Sequence, residues 1–291
     1  MKQRLIKWVP FIGLLIPWIG VSCGGSGNSI KMKGSDTEVN LAVNLAEKFT
    51  EQDPNFSIAI SGGGSGLGIT SLLNGQADIA NSSRPLSEKE RQQFKDKNIE
   101  LKTVIFAEDA TAFVVHKDLP IEEVTIATLG EILSGKIANW SEIIDADFPI
   151  NIYGRQSSSG THSFVKKKLA IEFTNAAKEM TGNAQIIEGV KADRTGIGYV
   201  GAGYVAEDPV ASQGIKVLKI IEKEGEIAIS PLDQAAINQG IYFFQRPLYQ
   251  FVLAESWEKV RPFIAFERSA KGGKLIEEHG YYILNNQQDE I

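Results

Sequence analysis

Cysteine, histidine and positive charge are all scarce in this chain of 291 residues. It holds one cysteine, Cys23, and three widely separated histidines, His116, His162 and His279. One thiol cannot close an intramolecular disulfide, and histidines so spaced offer neither a zinc site nor a Cys–His pair. A formal net charge of -6 lacks the basic field that a nucleic-acid surface needs, so nucleic acid is set aside as a partner. Nor does the chain carry a clean apolar run of about 20 residues, the length that spans a bilayer. Its best candidate, Trp8 to Ile19, is broken by Pro10, Gly13 and Pro17.

That interrupted run follows Lys2, Arg4 and Lys7, and residues 1–22 read as an export signal peptide. Cys23 comes directly after Ile19-Gly20-Val21-Ser22, an arrangement similar to the lipobox of bacterial lipoproteins, with Gly20 where such boxes usually carry leucine. An exported chain with a single thiol needs a use for it, and lipidation of Cys23 supplies one. The Gly/Ser tract in residues 23–29 then reads as a flexible tether. These features predict a periplasmic or cell-surface protein held at the membrane through Cys23.

With 43% hydrophobic and 23% charged residues, the remainder has the composition of a globular protein, and its length favours two compact units. Strand-like and helix-like patterns alternate from Ile30 onward, which predicts α/β layers with largely parallel strands. Apolar segments at 30–33, 56–60, 77–80, 112–115 and 150–153 read as strands, and residues from Tyr242 to Leu253 form an aromatic strand candidate. Helical spacing is read at Val39, Ala42, Val43, Ala46 and Phe49, over 69–73 and 126–133, and at Val165, Leu169 and Phe173. Ser87 and Glu90 have the spacing of a capping box.

Four loops rich in Ser, Thr and Gly each follow a strand. They are Gly34-Ser35-Asp36-Thr37, Ser61-Gly62-Gly63-Gly64-Ser65-Gly66, Asn81-Ser82-Ser83-Arg84 and Arg155-Gln156-Ser157-Ser158-Ser159-Gly160-Thr161. At least three open a helix, where backbone N–H groups and the helix dipole favour an anion. Arg155 adds a guanidinium that can pair with two oxygens of a tetrahedral oxyanion. Any one of these loops alone reads as an ordinary cap or turn, and only the set together with Arg155 points to an anion.

Enzyme templates fail on inspection. Leu67 stands where a nucleophile elbow needs Gly, and Ile69 stands where a P-loop needs Lys. Gly196-x-Gly198-x-x-Gly201 matches a dinucleotide fingerprint, but Ala202 and Gly203 follow it, so it reads as structural. His162 reads as a first-turn helix residue.

In order and spacing these loops resemble the ligand loops of the periplasmic phosphate-binding proteins of ABC transporters. Ala138-Asn139-Trp140, Gly196-Ile197-Gly198-Tyr199 and the late apolar strand add to the likeness, which covers essentially the whole exported chain. The resemblance implies two α/β lobes joined by two hinge crossovers, with the ligand in the cleft between them. It sets lobe 1 at 30–110 and 246–291 and lobe 2 at 111–245, with crossovers near Ala110 and Arg246. It implies phosphate as ligand, a membrane permease as partner, a monomer, and no cofactor, metal or catalytic step. The implied ligand residues are Ser35, Asp36, Thr37, Gly64, Ser65, Gly66, Ser83, Arg155, Ser157, Ser159, Gly160 and Thr161.

Two positions depart from the pattern, because family members commonly carry Asp where this chain has Ser83 and Ser157. The first normally accepts the proton that phosphate retains and sulfate lacks, so Asp36 is the nearest substitute acceptor, the alternative being that it only caps the helix it precedes. Loss of those acids leaves sulfate, molybdate or tungstate as rival ligands, and a phosphate-ester hydrolase as a rival from another class. Arg84 either balances Asp36 or sits at the rim.

Overall fold

The computed structural model describes residues 28–206 and 213–283. The expected signal peptide, Cys23 and most of the expected tether lie outside the described residues. Asn28 and Ser29, assigned to the tether from sequence, instead begin strand β1 (Asn28–Gly34) and pair with Phe56 and Ser57. Among the described residues no helix is long and apolar enough to cross a membrane.

The fold is a mixed α/β, two-lobed arrangement built on one winding sheet. In its first part β1 is flanked in parallel by β2 (Phe56–Ser61) and β3 (Ile79–Ser82). The helices that follow these strands are α1 (Val39–Gln52), α2 (Ser65–Leu73) and α3 (Glu88–Asp96). Strand β4 (Leu101–His116) then runs for 16 residues, much longer than its apolar segment at 112–115 suggests. Beyond it come β5 (Glu123–Thr125) and helix α4 (Ile126–Ser134).

Strand β6 (Asn151–Arg155) and helix α5 (Gly160–Leu169) lead to β7 (Lys178–Met180) and α6 (Asn183–Ala192). Next are β8 (Gly196–Gly201), α7 (Gly203–Ala206), β9 (Ile215–Val217), β10 (Lys219–Ile221) and α8 (Gln234–Asn238). The chain returns through β11 (Gln245–Leu253) and ends in α9 (Trp257–Glu267) and α10 (Ala270–Glu278). The sheet order is β2-β1-β3-β11-β4-β8-β6-β7, with β9 also on β4 and a separate β10-β5 pair.

Strand β4 links the two parts by changing partner along its length. Residues 101–110 pair antiparallel with β11, whereas 111–116 pair with β8 and β9. The cores divide there too. Ile30, Leu41, Leu45, Phe106, Leu248 and Phe263 pack on one side, and Phe113, Trp140, Val165, Ile186 and Tyr199 on the other. Buried on both faces, residues 112–115 carry no polar alternation, as a strand covered by helices requires.

Local rules account for several ends. Ser87 and Glu90 form the expected capping box, each side chain accepting the other's backbone N–H. The helix read through Phe173 stops at Ala170, which turns left-handed, so Phe173 lies beyond α5 and stacks 5.5 Å from the Tyr199 ring. The three glycines of the dinucleotide-like motif lie inside buried β8, where a Cβ at Gly198 would come within 2.4 Å of Ile186.

Candidate functional site

Each Ser/Thr loop leaves the carboxyl end of a parallel strand, which is where open α/β sheets gather ligands. Ser35 to Thr37 follow β1, 62–64 join β2 to α2, Ser83 follows β3, and 156–159 join β6 to α5. Gly64 ends its loop at φ 106°, a left-handed conformation that only glycine adopts readily, and this turn sets Ser65 at the start of α2.

These turns converge. Ser35 Oγ donates to Ser83 Oγ at 3.1 Å, and Ser65 Oγ lies 3.4 Å from Ser83 Oγ while accepting the Ser83 N–H at 3.1 Å. From the opposite part, Thr161 Oγ1 meets Thr37 Oγ1 at 2.9 Å. Gly160 faces the serines so closely that a Cβ there would fall 2.3 Å from Ser65 Oγ and 2.4 Å from Ser83 Oγ. Ser159 caps α5 by accepting the His162 N–H, and all five hydroxyls of the cluster are buried. Gly66 N–H donates to Ser158 O at 3.0 Å, which closes the contact between the two parts.

Arg155 is 2% exposed at the end of β6. Its Nη1 donates to Asn183 Oδ1 at 3.3 Å and its Nη2 to Thr181 O at 3.1 Å. Burial draws its pKa down, opposed by the carboxylate of Asp36, whose Oδ2 lies 3.7 Å from Nη1. Its carboxylate partner thus comes from the other part of the molecule. Asp36 does not cap its own helix. Its Oδ2 accepts the Asn183 N–H at 2.9 Å, at the first turn of α6, where a negative charge is favoured. Tyr204 Oη donates to Asp36 O at 2.9 Å, and burial raises the phenol pKa.

Two side chains singled out from the sequence stand apart from the hydroxyl cluster. Ser157 is exposed, on a groove with His162, Glu172 and Phe173, and does not join the hydroxyl cluster. Arg84 does not balance Asp36, since its guanidinium forks onto Glu90 with two 2.8 Å bonds. His162 is a first-turn residue, its Nδ1 at 2.9 Å from Arg155 O. Among the described residues no group of three or more His, Cys, Asp or Glu side chains could hold a metal ion.

Sequence reasoning missed Asp109, Asn183 and the side chain of Arg246. Arg246 and Asp109 are buried cross-strand partners, joined from Nε at 3.0 Å and from Nη2 at 2.7 Å to Asp109 Oδ2. Burial raises the Asp109 pKa and Arg246 opposes the rise. Glu38, fully buried at the start of α1, has its pKa pushed up to about 8 by the same effect, so it is largely protonated at neutral pH.

The chain is similar in sequence and overall fold to known proteins. The phosphate-binding protein PstS of Pseudomonas aeruginosa is 29% identical over 288 residues, covering 92% of this chain and 87% of its own. An ABC-type phosphate transport receptor from Vibrio cholerae superposes with a TM-score of 0.68 at 28% identity, over 88% of this chain and 100% of that one. A Clostridium perfringens protein with bound phosphate, provisionally assigned as a phosphate ABC transporter substrate-binding protein, gives a TM-score of 0.78 at 26% identity and the same coverages. A family profile described as the PBP superfamily domain matches residues 22–269, and the chain belongs to that superfamily.

Proposed function

We propose that this protein is an extracytoplasmic receptor that binds inorganic phosphate and delivers it to the transmembrane permease of an ABC importer. One observation carries the reading. The hydroxyls of Ser35, Thr37, Ser65, Ser83 and Thr161 gather in one buried cluster at the junction of the two parts of the fold, and the buried guanidinium of Arg155 faces Asp36, which stands between Ser35 and Thr37 in the first loop. Such a cluster offers many short donors to an anion and excludes water, and hydrogen bonds to a charged group each contribute about 1.5–3 kcal/mol. The names of the relatives support the same ligand.

The proposed contacts are Ser35, Asp36, Thr37, Gly64, Ser65, Gly66, Ser83, Arg155, Ser159, Gly160 and Thr161. Asp36 is the proposed acceptor for the proton that phosphate keeps, in place of the acid that Ser83 replaces. Lobe 1 is taken as 30–110 and 246–291 and lobe 2 as 111–245, limits supported by the change of partner along β4 at residue 110. Closure would swing these lobes about the two crossovers. Acylation at Cys23 holds the receptor at the membrane, where it works as a monomer. It carries out no covalent step.

Thermal unfolding with added phosphate tests the reading. At 100 times the dissociation constant, linkage adds about 2.7 kcal/mol of stability and raises the melting temperature by roughly 5–10 °C. An unchanged transition at millimolar phosphate contradicts it.

A further inference from the structure

Arg246 stands at the start of β11, where the chain re-enters the first part of the fold, and its guanidinium has contacts on each side. Besides the two bonds to Asp109, Nη2 donates to Thr161 Oγ1 at 3.0 Å and to Thr37 Oγ1 at 3.3 Å. The group is only 3% exposed, its Cζ lies 5.1 Å from the Phe164 ring centroid, and Nη1 is buried with no hydrogen-bond partner among the described residues. Asp109 and the ring thus fix the guanidinium in one orientation.

A guanidinium can only donate. One Nη2 hydrogen is held by Asp109, so the other is shared between the two threonine oxygens, nearer to Thr161, and each hydroxyl keeps its own hydrogen for another acceptor. In the 2.9 Å Thr37–Thr161 contact one of those hydrogens is used and the other points away. Once an anion separates the pair, both are left to donate to it. A ligand oxygen at this end must accept two hydrogen bonds, which an unprotonated oxygen does best, while any P–OH is turned toward the opposite end of the site.

We propose that Arg246, held by Asp109, is a positioning and specificity-determining residue that fixes the hydroxyls of Thr37 and Thr161 as paired donors to an unprotonated phosphate oxygen. This inference rests on the reading of the cluster as a phosphate site.

A double-mutant cycle tests it on the whole exported protein, with phosphate as titrant and calorimetric Kd as readout. Arg246→Gln and Thr161→Val are each expected to weaken binding about tenfold, and the double variant to be no more than about threefold weaker than the worse single one. Losses that multiply to about a hundredfold, or an Arg246→Gln protein that binds like wild type, overturn the proposal. If Arg246→Gln gives no cooperative melting transition, Asp109→Asn replaces it in the cycle. The expected coupling with Thr161→Val is then the same, and multiplied losses again refute the role. Wild-type protein that takes up no phosphate refutes the functional reading itself, and is distinguished from additive variants of a wild type that binds.

Discussion

Asp36 Oδ2 accepts the backbone N–H of Asn183 at 2.9 Å, so the carboxylate of the first ligand loop caps a helix on the far side of the junction. The same oxygen faces the buried guanidinium of Arg155 at 3.7 Å. One side chain thereby joins the helix start, the principal cation and the loop after β1. Replacing it by Asn keeps an acceptor for Asn183 but removes the charge and the proton-accepting role. Asp36→Asn is expected to weaken phosphate binding about tenfold to a hundredfold and sulfate binding less, as paired titrations with both anions will reveal. Equal losses for the two ions would rule out proton reading by Asp36.

Two arginines near the loops have opposite fates. Arg155 is buried with its donors turned toward Asn183, Thr181 and Asp36, whereas Arg84 is committed to Glu90 in a forked pair. Arg155→Ala should cost at least about a hundredfold in phosphate affinity, and Arg84→Ala less than about threefold. Isothermal titration of both variants decides the order. A larger loss at Arg84 would mean that the anchor lies elsewhere.

Gly160 has no room for a methyl group, because its Cβ would meet both Ser65 Oγ and Ser83 Oγ well inside contact distance. Gly160→Ala should abolish detectable phosphate binding while leaving a cooperative melting transition. The strain falls between the two parts rather than within either core. Retained affinity in fluorescence-detected titration would show that Gly160 does not line the site.

Glu38 gives a pH signature with a definite sign. Its folded-state pKa of about 8 exceeds the ordinary value of 4.5, so the folded protein binds the proton more tightly than the unfolded chain does. The resulting stabilisation is complete below about pH 4.5 and is lost as pH rises through about 8. One such group changes stability by at most about 1.4 kcal/mol per pH unit over that window. Glu267, whose Oε1 accepts from Gln250 at 2.9 Å, is raised to about 8 by burial and acts in the same direction. Glu38→Gln should flatten the fall in melting temperature between pH 5 and 8.5, measured without phosphate. A slope equal to that of wild type would mean that Glu38 is ionised in the folded protein.

Most of the hydroxyl cluster could be read from sequence because its members stand in Ser/Thr/Gly loops directly after apolar strands, where a turn and a helix start have local signatures. Asp109 and Arg246 could not, because only the antiparallel pairing of β4 with β11 joins them, and that pairing spans 137 positions of sequence. In isolation Glu108 and Asp109 look like the polar edge of a short strand, which also hid the true length of β4. Asn183 follows Thr181-Gly182 with no hydroxyl-rich run to mark it. In 156–159 only Ser159 is buried, as the α5 cap, while Ser157 is exposed, a difference that no local pattern in the serine run marks. Phe173 kept the helical spacing because it packs on Tyr199, although the helix had already ended.

Calorimetric titration of the purified protein with phosphate, and separately with sulfate, tests the central claim most directly. The account predicts saturable binding of one phosphate per chain with little or no sulfate uptake. Tight sulfate binding without a phosphate response would contradict it.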